Sequence, residues 1–338
     1  MKVIITDAIV QAAVAGPQVL KLHDLVAFAK QKNRHFLLFE SEACLELIVR
    51  TYAEVIQPIY RQLLQQSVRG ALTFPSGRAA IKVDNVARSE WDLPVPVLTL
   101  DDSLRVLTEK LAILLENSTN DWNFLLGIMS PMDRRLIKDY VASGWAEALH
   151  GGGDTLGNLL DDRIKIPWTR FRTFVLFDSD RLHPDEFNAN WTTERPGKRP
   201  ASCHAYAWEK KTKQHMPNRY WMLQRRYIES YMPREELKNG KEKKASDQAV
   251  AEFFGMSQAA RWYYNMKEGF ARDERRDDSE RSRNLYTEIT PEQRAILNNG
   301  FGNTLAKHYL TSVEKEFDWD PEARAEADLA LPRLLQLL

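Results

Sequence analysis

The sequence predicts an α/β protein, a mostly parallel sheet flanked by helices, and three observations carry that prediction. Two short apolar runs, Phe36-Leu37-Leu38-Phe39 and Phe174-Val175-Leu176-Phe177, are bounded by polar residues. Runs of this length read as strands covered on both faces. After the first, Ala43, Leu45, Leu47, Ile48, Tyr52, Val55 and Ile56 fall largely at helical spacing, as a helix packed on a sheet requires. Each run also ends on a carboxylate, Glu40 or Asp178.

The elements follow in chain order. Residues 1–34 read as a lead-in, broken at Gly16-Pro17, with a helix from Leu20 to Lys30 carried by Leu22, Leu25, Val26 and Ala29. Glu40 then stands at a strand-to-helix junction, where the helix N-terminus favours a negative charge; a carboxylate there is also ordinary helix-start chemistry. From 57 to 140, Pro58, Pro75, Pro94, Pro96 and Pro131 interrupt the pattern, and Pro75-Ser76-Gly77 reads as a turn. Within it Leu104 to Leu115 has the spacing of one amphipathic helix, and Leu125-Leu126-Gly127-Ile128 suits a short strand or a helix end. The whole stretch reads as a helical insertion.

Gly151-Gly152-Gly153 permits unusual backbone angles, and Asp154 or Thr155 would cap the helix after it. No Gly-Lys-Ser/Thr follows, so this is not a phosphate-cradling Walker A loop. After the strand at 174–177, residues 185–200 are polar and read as a surface loop containing Pro196 and Gly197. Tyr220-Trp221-Met222-Leu223 forms a second hydrophobic block, and Pro233 ends the element that follows it. A charged linker, Lys238 to Lys244, marks a soft boundary. Beyond it the spacing is helical over 249–254, 260–266, 291–297 and 304–313. No internal repeat is legible. The division is a lead-in over 1–34, an α/β domain over 35–235, and a helical C-terminal region over 236–338.

Composition bounds the function classes. Hydrophobic residues make up 43% of 338, enough for a substantial core. Lys+Arg and Asp+Glu are equal at 47, so only the distribution of charge bears on nucleic-acid binding. The two cysteines, Cys44 and Cys203, form no CxxC pair and argue against a zinc ribbon or a disulfide framework. His183, His204 and His215 show no zinc spacing either. The N-terminus has no signal-peptide pattern and no apolar run is long enough for a bilayer, so the expectation is a cytoplasmic protein without a membrane partner.

The chemistry concentrates at Asp178-Ser179-Asp180. Two carboxylates spaced i, i+2 at a strand end can turn onto one ion. Held close, they repel unless a cation or proton neutralises them, and hard oxygen ligands suit Mg²⁺ or Mn²⁺. A solvated turn after a strand reads equally well from these residues alone. Downstream, Arg219, Arg225 and Arg226 are interleaved with Tyr220, Trp221 and Tyr227. That mixture suits phosphates and stacked bases, and equally a buried aromatic element with basic edges.

Strand–Glu40–helix, the glycine loop, strand–Asp178-Ser179-Asp180 and Arg225-Arg226-Tyr227-Ile228-Glu229-Ser230-Tyr231 come in an order that resembles a Toprim domain. Within that group the chain most resembles the nucleases of the overcoming-lysogenization-defect type and their anti-phage relatives. The resemblance spans about residues 35–235 and implies a divalent-metal-dependent endonuclease acting on DNA or RNA, an anti-phage effector working beside a separate ATPase. It implies Glu40, Asp178 and Asp180 as holders of Mg²⁺ or Mn²⁺, with Glu229 completing a second site. Lys267, in a run resembling one after the Toprim core, or Lys210, Lys211 or Arg226, would stabilise the transition state. Arg219, Arg225, Arg226, Lys210 and Lys211 would meet nucleic acid. The sequence departs from the family at Ser41, where glycine is usual, and neither Glu42 nor Glu46 cleanly supplies the second acid expected after the glutamate. The alternative is a non-catalytic Toprim-fold binding or regulatory subunit.

Overall fold

The computed structural model describes residues 1–30, 34–73, 79–152, 154–186, 204–275 and 282–338. The turn expected at Pro75-Ser76-Gly77, the third glycine Gly153, Cys203 and most of the 185–200 loop lie outside them. The described residues form two four-stranded parallel sheets with helices around both.

The first sheet is built from β1 (Lys2–Ile5), β2 (Phe36–Phe39), β3 (Ala80–Val83) and β4 (Val97–Leu98), in the order β2-β1-β3-β4. Helices α1 (Asp7–Val14) and α2 (Val19–Lys30) join β1 to β2, and α3 (Glu42–Arg50) and α4 (Gln57–Thr73) join β2 to β3. Next, α5 (Leu100–Thr108) leads into the second sheet, made of β5 (Leu111–Leu115), β6 (Ala146–His150), β7 (Thr173–Phe177) and β8 (Tyr220–Met222). Its order is β6-β5-β7-β8. Again two helices, α6 (Asn120–Ile128) and α7 (Pro131–Ala142), join its first two strands, and two more, α8 (Asp154–Lys165) and α9 (Pro167–Phe171), join its second to its third. The topology of the first half is therefore repeated in the second. Sequence similarity does not reveal this, because parallel pairing asks only for short apolar strands and carries no residue-by-residue signature.

Period-two alternation explains how the second sheet is covered. Leu111, Ile113 and Leu115 of β5, with Phe174 and Leu176 of β7, face a core that includes Phe124 of α6 and most of the C-terminal helices. Ala112, Leu114, Val175 and Phe177 face the opposite way, onto Leu156 and Leu160 of α8 and Trp208 of α10 (His204–His215). Every residue of β5 and β7 is buried. The described residues beyond 236 share the core of the second sheet and form none of their own.

Several sequence expectations are corrected. The lead-in begins with β1, an inner strand hydrogen-bonded to both β2 and β3. The stretch 57–140 is no helical insertion, since it holds β3, β4 and β5. The single helix expected over Leu104–Leu115 is two elements. The α5 helix ends at Thr108, Glu109 is extended, and β5 begins at Leu111. Leu104, Leu107, Leu111 and Leu114 fit a helical stripe only by coincidence of spacing; pairing with β6 and β7 on both sides decides the outcome. The 35–235 domain accordingly cuts through the first half, between β1 and β2. Leu125–Ile128 is the end of α6.

Candidate active site

Two neighbouring strand ends supply the first acidic groups. β5 and β7 run parallel, with Leu115 opposite Leu176. Glu116 follows Leu115 directly and Asp178 follows Phe177, the last residue of β7; the Asp178 amide donates to Glu116 Oε2 at 3.3 Å, which sets the two side by side. The loop after β7 is then tied to the segment after β8. Asp178 Oδ1 accepts from the Ile228 amide at 3.0 Å, and Ser179 Oγ donates to the Arg225 carbonyl at 2.8 Å. The Asp180 amide donates to the Arg226 carbonyl at 3.1 Å. Asp180 has φ +53°, a left-handed conformation that aspartate tolerates better than most residues. These bonds carry the 3₁₀ turn Ile228–Tyr231, with Glu229 in it, up to the strand ends.

Asp121 enters from the first turn of α6, with Oδ2 accepting from the Asn117 amide at 2.8 Å. Glu229 is buried at 2% exposure; Oε1 lies 3.2 Å from Lys267 Nζ, and Oε2 is buried with no hydrogen-bond partner among the described residues. Lys267 also stands 4.7 Å from the centre of the Tyr227 ring. Its loop is pinned by the Gly302 amide, which donates to the Lys267 carbonyl at 3.1 Å, and by the Phe301 amide on Met266 at 2.7 Å. Gly269, at φ +65°, allows this approach: a Cβ there would meet the Leu297 and Asn298 carbonyls and the Gly300 nitrogen at 2.4 Å.

Burial and crowding dominate the electrostatics. The Glu116 carboxyl is pushed from 4.5 up to about 8, by burial first and then by the negative charges of Asp180 and Asp121. Asp121 is pushed from 3.8 up to about 6, again chiefly by burial, with Glu229 adding to it. Asp178 is raised well above 3.8 by burial and by Glu116, against the pull of Lys267. Lys267 is held above its ordinary value: burial opposes its charge, but Glu229 and Asp178 more than offset that.

A pH dependence follows. Between 4.5 and about 8 the folded chain keeps the Glu116 proton that the unfolded chain has released. Unfolding then releases protons, so stability falls as pH rises through that window; Asp121 adds the same trend between 3.8 and about 6. Urea midpoints measured in EDTA should decline from pH 5 to pH 8. A midpoint that rises over that range would show that these carboxyls are not held protonated by the fold.

The structure thus brings together Asp178, Asp180, Glu229 and Lys267 of the residues singled out in the sequence, and adds Glu116 and Asp121. It does not bring Glu40 to them. Glu40 follows β2 in the other sheet, where its Oε2 accepts from the Asp7 amide at 3.0 Å. Ser41 caps α3, and Glu46 pairs with Arg61 at 2.8 Å. The arginines are corrected too. Arg225 is buried and forks onto Asp320, at 2.8 and 2.5 Å, and buried Arg226 forks onto Asp273, at 2.7 and 2.9 Å. Neither guanidinium is presented to a phosphate. Lys211 pairs with Asp161 at 2.6 Å, Lys210 is exposed on α10, and Arg219 donates to the Arg170 carbonyl at 3.2 Å.

The signal for Glu116 is present in the sequence: five apolar residues, a carboxylate, then the polar turn Asn117-Ser118-Thr119-Asn120. It has the same form as the run into Asp178. The overlapping leucine stripe of α5 conceals it.

Five carboxylates with hard oxygen donors, one of them carrying a buried orphan oxygen, fit a divalent cation better than any other ligand class. The side chains of Glu116, Asp121, Asp178 and Glu229 are nonetheless turned onto backbone amides and Lys267. Among the described residues no three His, Cys, Asp or Glu side chains stand ready as a metal-ligand group. No described helix is long and apolar enough to cross a membrane. Comparison of the chain with protein-family models, curated proteins and solved structures found no match in any of the three.

Proposed function

We propose that this chain is a divalent-metal-dependent nuclease of Toprim type, cleaving phosphodiester bonds in DNA or RNA, with a separate ATPase as partner in anti-phage defence. The observation that supports this reading most is the pair of carboxylates on adjacent parallel strand ends, Glu116 after β5 and Asp178 after β7, joined by buried Glu229. The order that the resemblance requires, a glutamate after one strand and a DxD pair after a later one, is met within a single sheet by Glu116 and by Asp178 with Asp180. Glu116 takes the role first expected of Glu40.

Glu116, Asp178 and Asp180 would hold Mg²⁺ or Mn²⁺, and Asp121 and Glu229 a second ion. Bound there, the cation would supply Lewis acidity and a nucleophilic water at neutral pH. The protein's own groups do the rest. The bonds from Asp178 to Ile228 and from Asp180 to Arg226 fix the loop against displacement. Lys267, whose proton is secured by Glu229 and Asp178, would stabilise negative charge building up on a cleaved phosphate.

The test is cleavage of labelled DNA and of transfer RNA with Mg²⁺, with Mn²⁺ and with EDTA. Cutting is expected with either metal and absent with EDTA, and Asp178→Asn should abolish it. Cutting that persists in EDTA would overturn the reading. One observation favours a second reading, a non-catalytic binding or regulatory subunit: the carboxylates are not gathered into a ligand group as they stand. On that reading Asp178→Asn keeps full nucleic-acid binding and the wild type never cuts, with or without an added ATPase.

A further inference from the structure

A cationic cleft lies at the opposite end of the strands from the acidic site. It has a volume of about 510 Å³, within the range of about 300–1,000 Å³ of small-molecule sites. Four parts of the chain wall it: the Ala79-Ala80 start of β3 with Trp91 to Pro94, the Arg170-Phe171 end of α9, the segment before β8 that carries Gln214 and Arg219, and Gln336-Leu337 near the C-terminus. A second lobe, lined also by Arg88, Glu90 and Pro167, shares Trp91, Asp92, Leu93 and Arg170 with it; its own arginine and glutamate balance in charge, so the excess belongs to Arg170 and Arg219. The lining thus belongs to the amino ends of β3, β7 and β8, whereas Glu116 and Asp178 follow carboxyl ends. A strand of five residues spans roughly 17 Å, so the two sites are separate.

Positive charge in this cleft is under-compensated. Arg219 donates one N–H to the Arg170 carbonyl at 3.2 Å and lies 4.5 Å from the Phe171 ring centre, but among the described residues no carboxylate pairs with it. Arg170 meets one carboxylate, that of Asp92 at 3.1 Å, and Asp92 is 93% exposed, so solvent screens the pair. Burial and the charge of Arg170 together lower Arg219 to about 10. Two guanidiniums set close with one screened counter-charge favour an anion between them. The planar guanidinium fork matches phosphate oxygens. Trp91 lines both lobes and is the aromatic side chain they share, and Gln214 and Asn218 add amide donors and acceptors.

We propose that this cleft binds a phosphorylated small molecule of nucleotide size, its phosphate held by Arg170 and Arg219 and its base against Trp91. The enclosing walls suit a compact ligand better than a polynucleotide strand, which needs a continued basic track.

The experiment is calorimetric titration of the full chain with adenosine monophosphate, inorganic phosphate, adenosine and a single-stranded oligonucleotide. Adenosine monophosphate is expected to bind, with phosphate and adenosine each at least about tenfold weaker. Arg170→Gln and Arg219→Lys should each lower its affinity by about tenfold or more; the second keeps the charge and removes only the fork. Asp178→Asn should leave it unchanged, which separates this site from the acidic one. Several results would each overturn the proposal: no binding by a chain with normal circular dichroism, adenosine or phosphate alone binding as tightly, or affinity untouched by both arginine changes. Binding of the oligonucleotide alone would do the same and move these arginines to a nucleic-acid surface.

Discussion

Glu116→Gln is expected to lower metal-dependent cleavage by at least about 10²-fold while making the metal-free protein more stable at pH 8. The two effects share one cause. Glu116 is a carboxylate that the fold disfavours: burial and the charges of Asp180 and Asp121 hold its proton on up to about 8. Glutamine keeps an oxygen to accept the Asp178 N–H, which Glu116 takes at 3.3 Å, and removes the charge. Relief of the electrostatic penalty should stabilise the fold by about 1–3 kcal/mol at pH 8. The gain should fade toward pH 5, where the wild-type group is protonated. Glu40→Gln is the control, because Glu40 sits in the other sheet against the Asp7 amide; it should leave cleavage within about twofold. Mg²⁺ should raise the unfolding midpoint of the wild type more than that of Glu116→Gln. If Glu40→Gln abolished cleavage and Glu116→Gln did not, the acidic centre would belong to the first sheet.

How much of this was legible depended on whether a pattern stood alone. Phe174–Phe177 is bounded clearly by polar residues, so its strand and the aspartates after it can be read directly. Leu111–Leu115 is as apolar and as buried, yet α5 precedes it by two residues and its leucines extend the stripe. Helical spacing then outweighs the strand signal, and with the strand goes Glu116. Glu40, after the clearly bounded run Phe36–Phe39, is then the strand-end glutamate that the pattern exposes. The duplicated topology stayed hidden because β1 is four residues long and looks like a chain end. Lys267 and Glu229 could be marked by their neighbours, but their meeting depends on the contact of Gly269 with Gly300, both far beyond Glu229 in the chain. Arg225 and Arg226 illustrate the opposite failure. Arginine among aromatics describes a nucleic-acid surface and a buried ion pair equally well, and only the partners Asp320 and Asp273, far along the chain, decide between them.

That decision leads to the second large effect. Arg226→Ala is expected to destabilise the protein by about 3–5 kcal/mol, because it leaves a buried carboxylate without its partner. Arg226 and Asp273 are 4% and 5% exposed and share two short bonds. Among the described residues Asp273 would retain the Asn265 amide alone, at 3.3 Å. Removing both charges should be milder than removing one, so Arg226→Ala/Asp273→Ala should recover part of the loss, with a coupling energy of about 0.5–3 kcal/mol. Urea unfolding of the two single variants and the double variant measures it. A phosphate-contacting arginine would behave differently: substrate affinity would fall, its salt dependence would weaken, and the urea midpoint would hardly move. The backbone adds a consequence for the site. The Arg226 carbonyl accepts the Asp180 N–H, and the Arg226 amide donates to the Trp262 carbonyl at 2.9 Å. The ion pair therefore anchors the strand of chain on which the Asp180 loop hangs. Arg226→Lys keeps the charge but loses the fork, and it should retain most of the stability while reducing cleavage by displacing Asp180. A variant as stable and as active as the wild type would mean that the Arg226–Asp273 pair does not hold that loop.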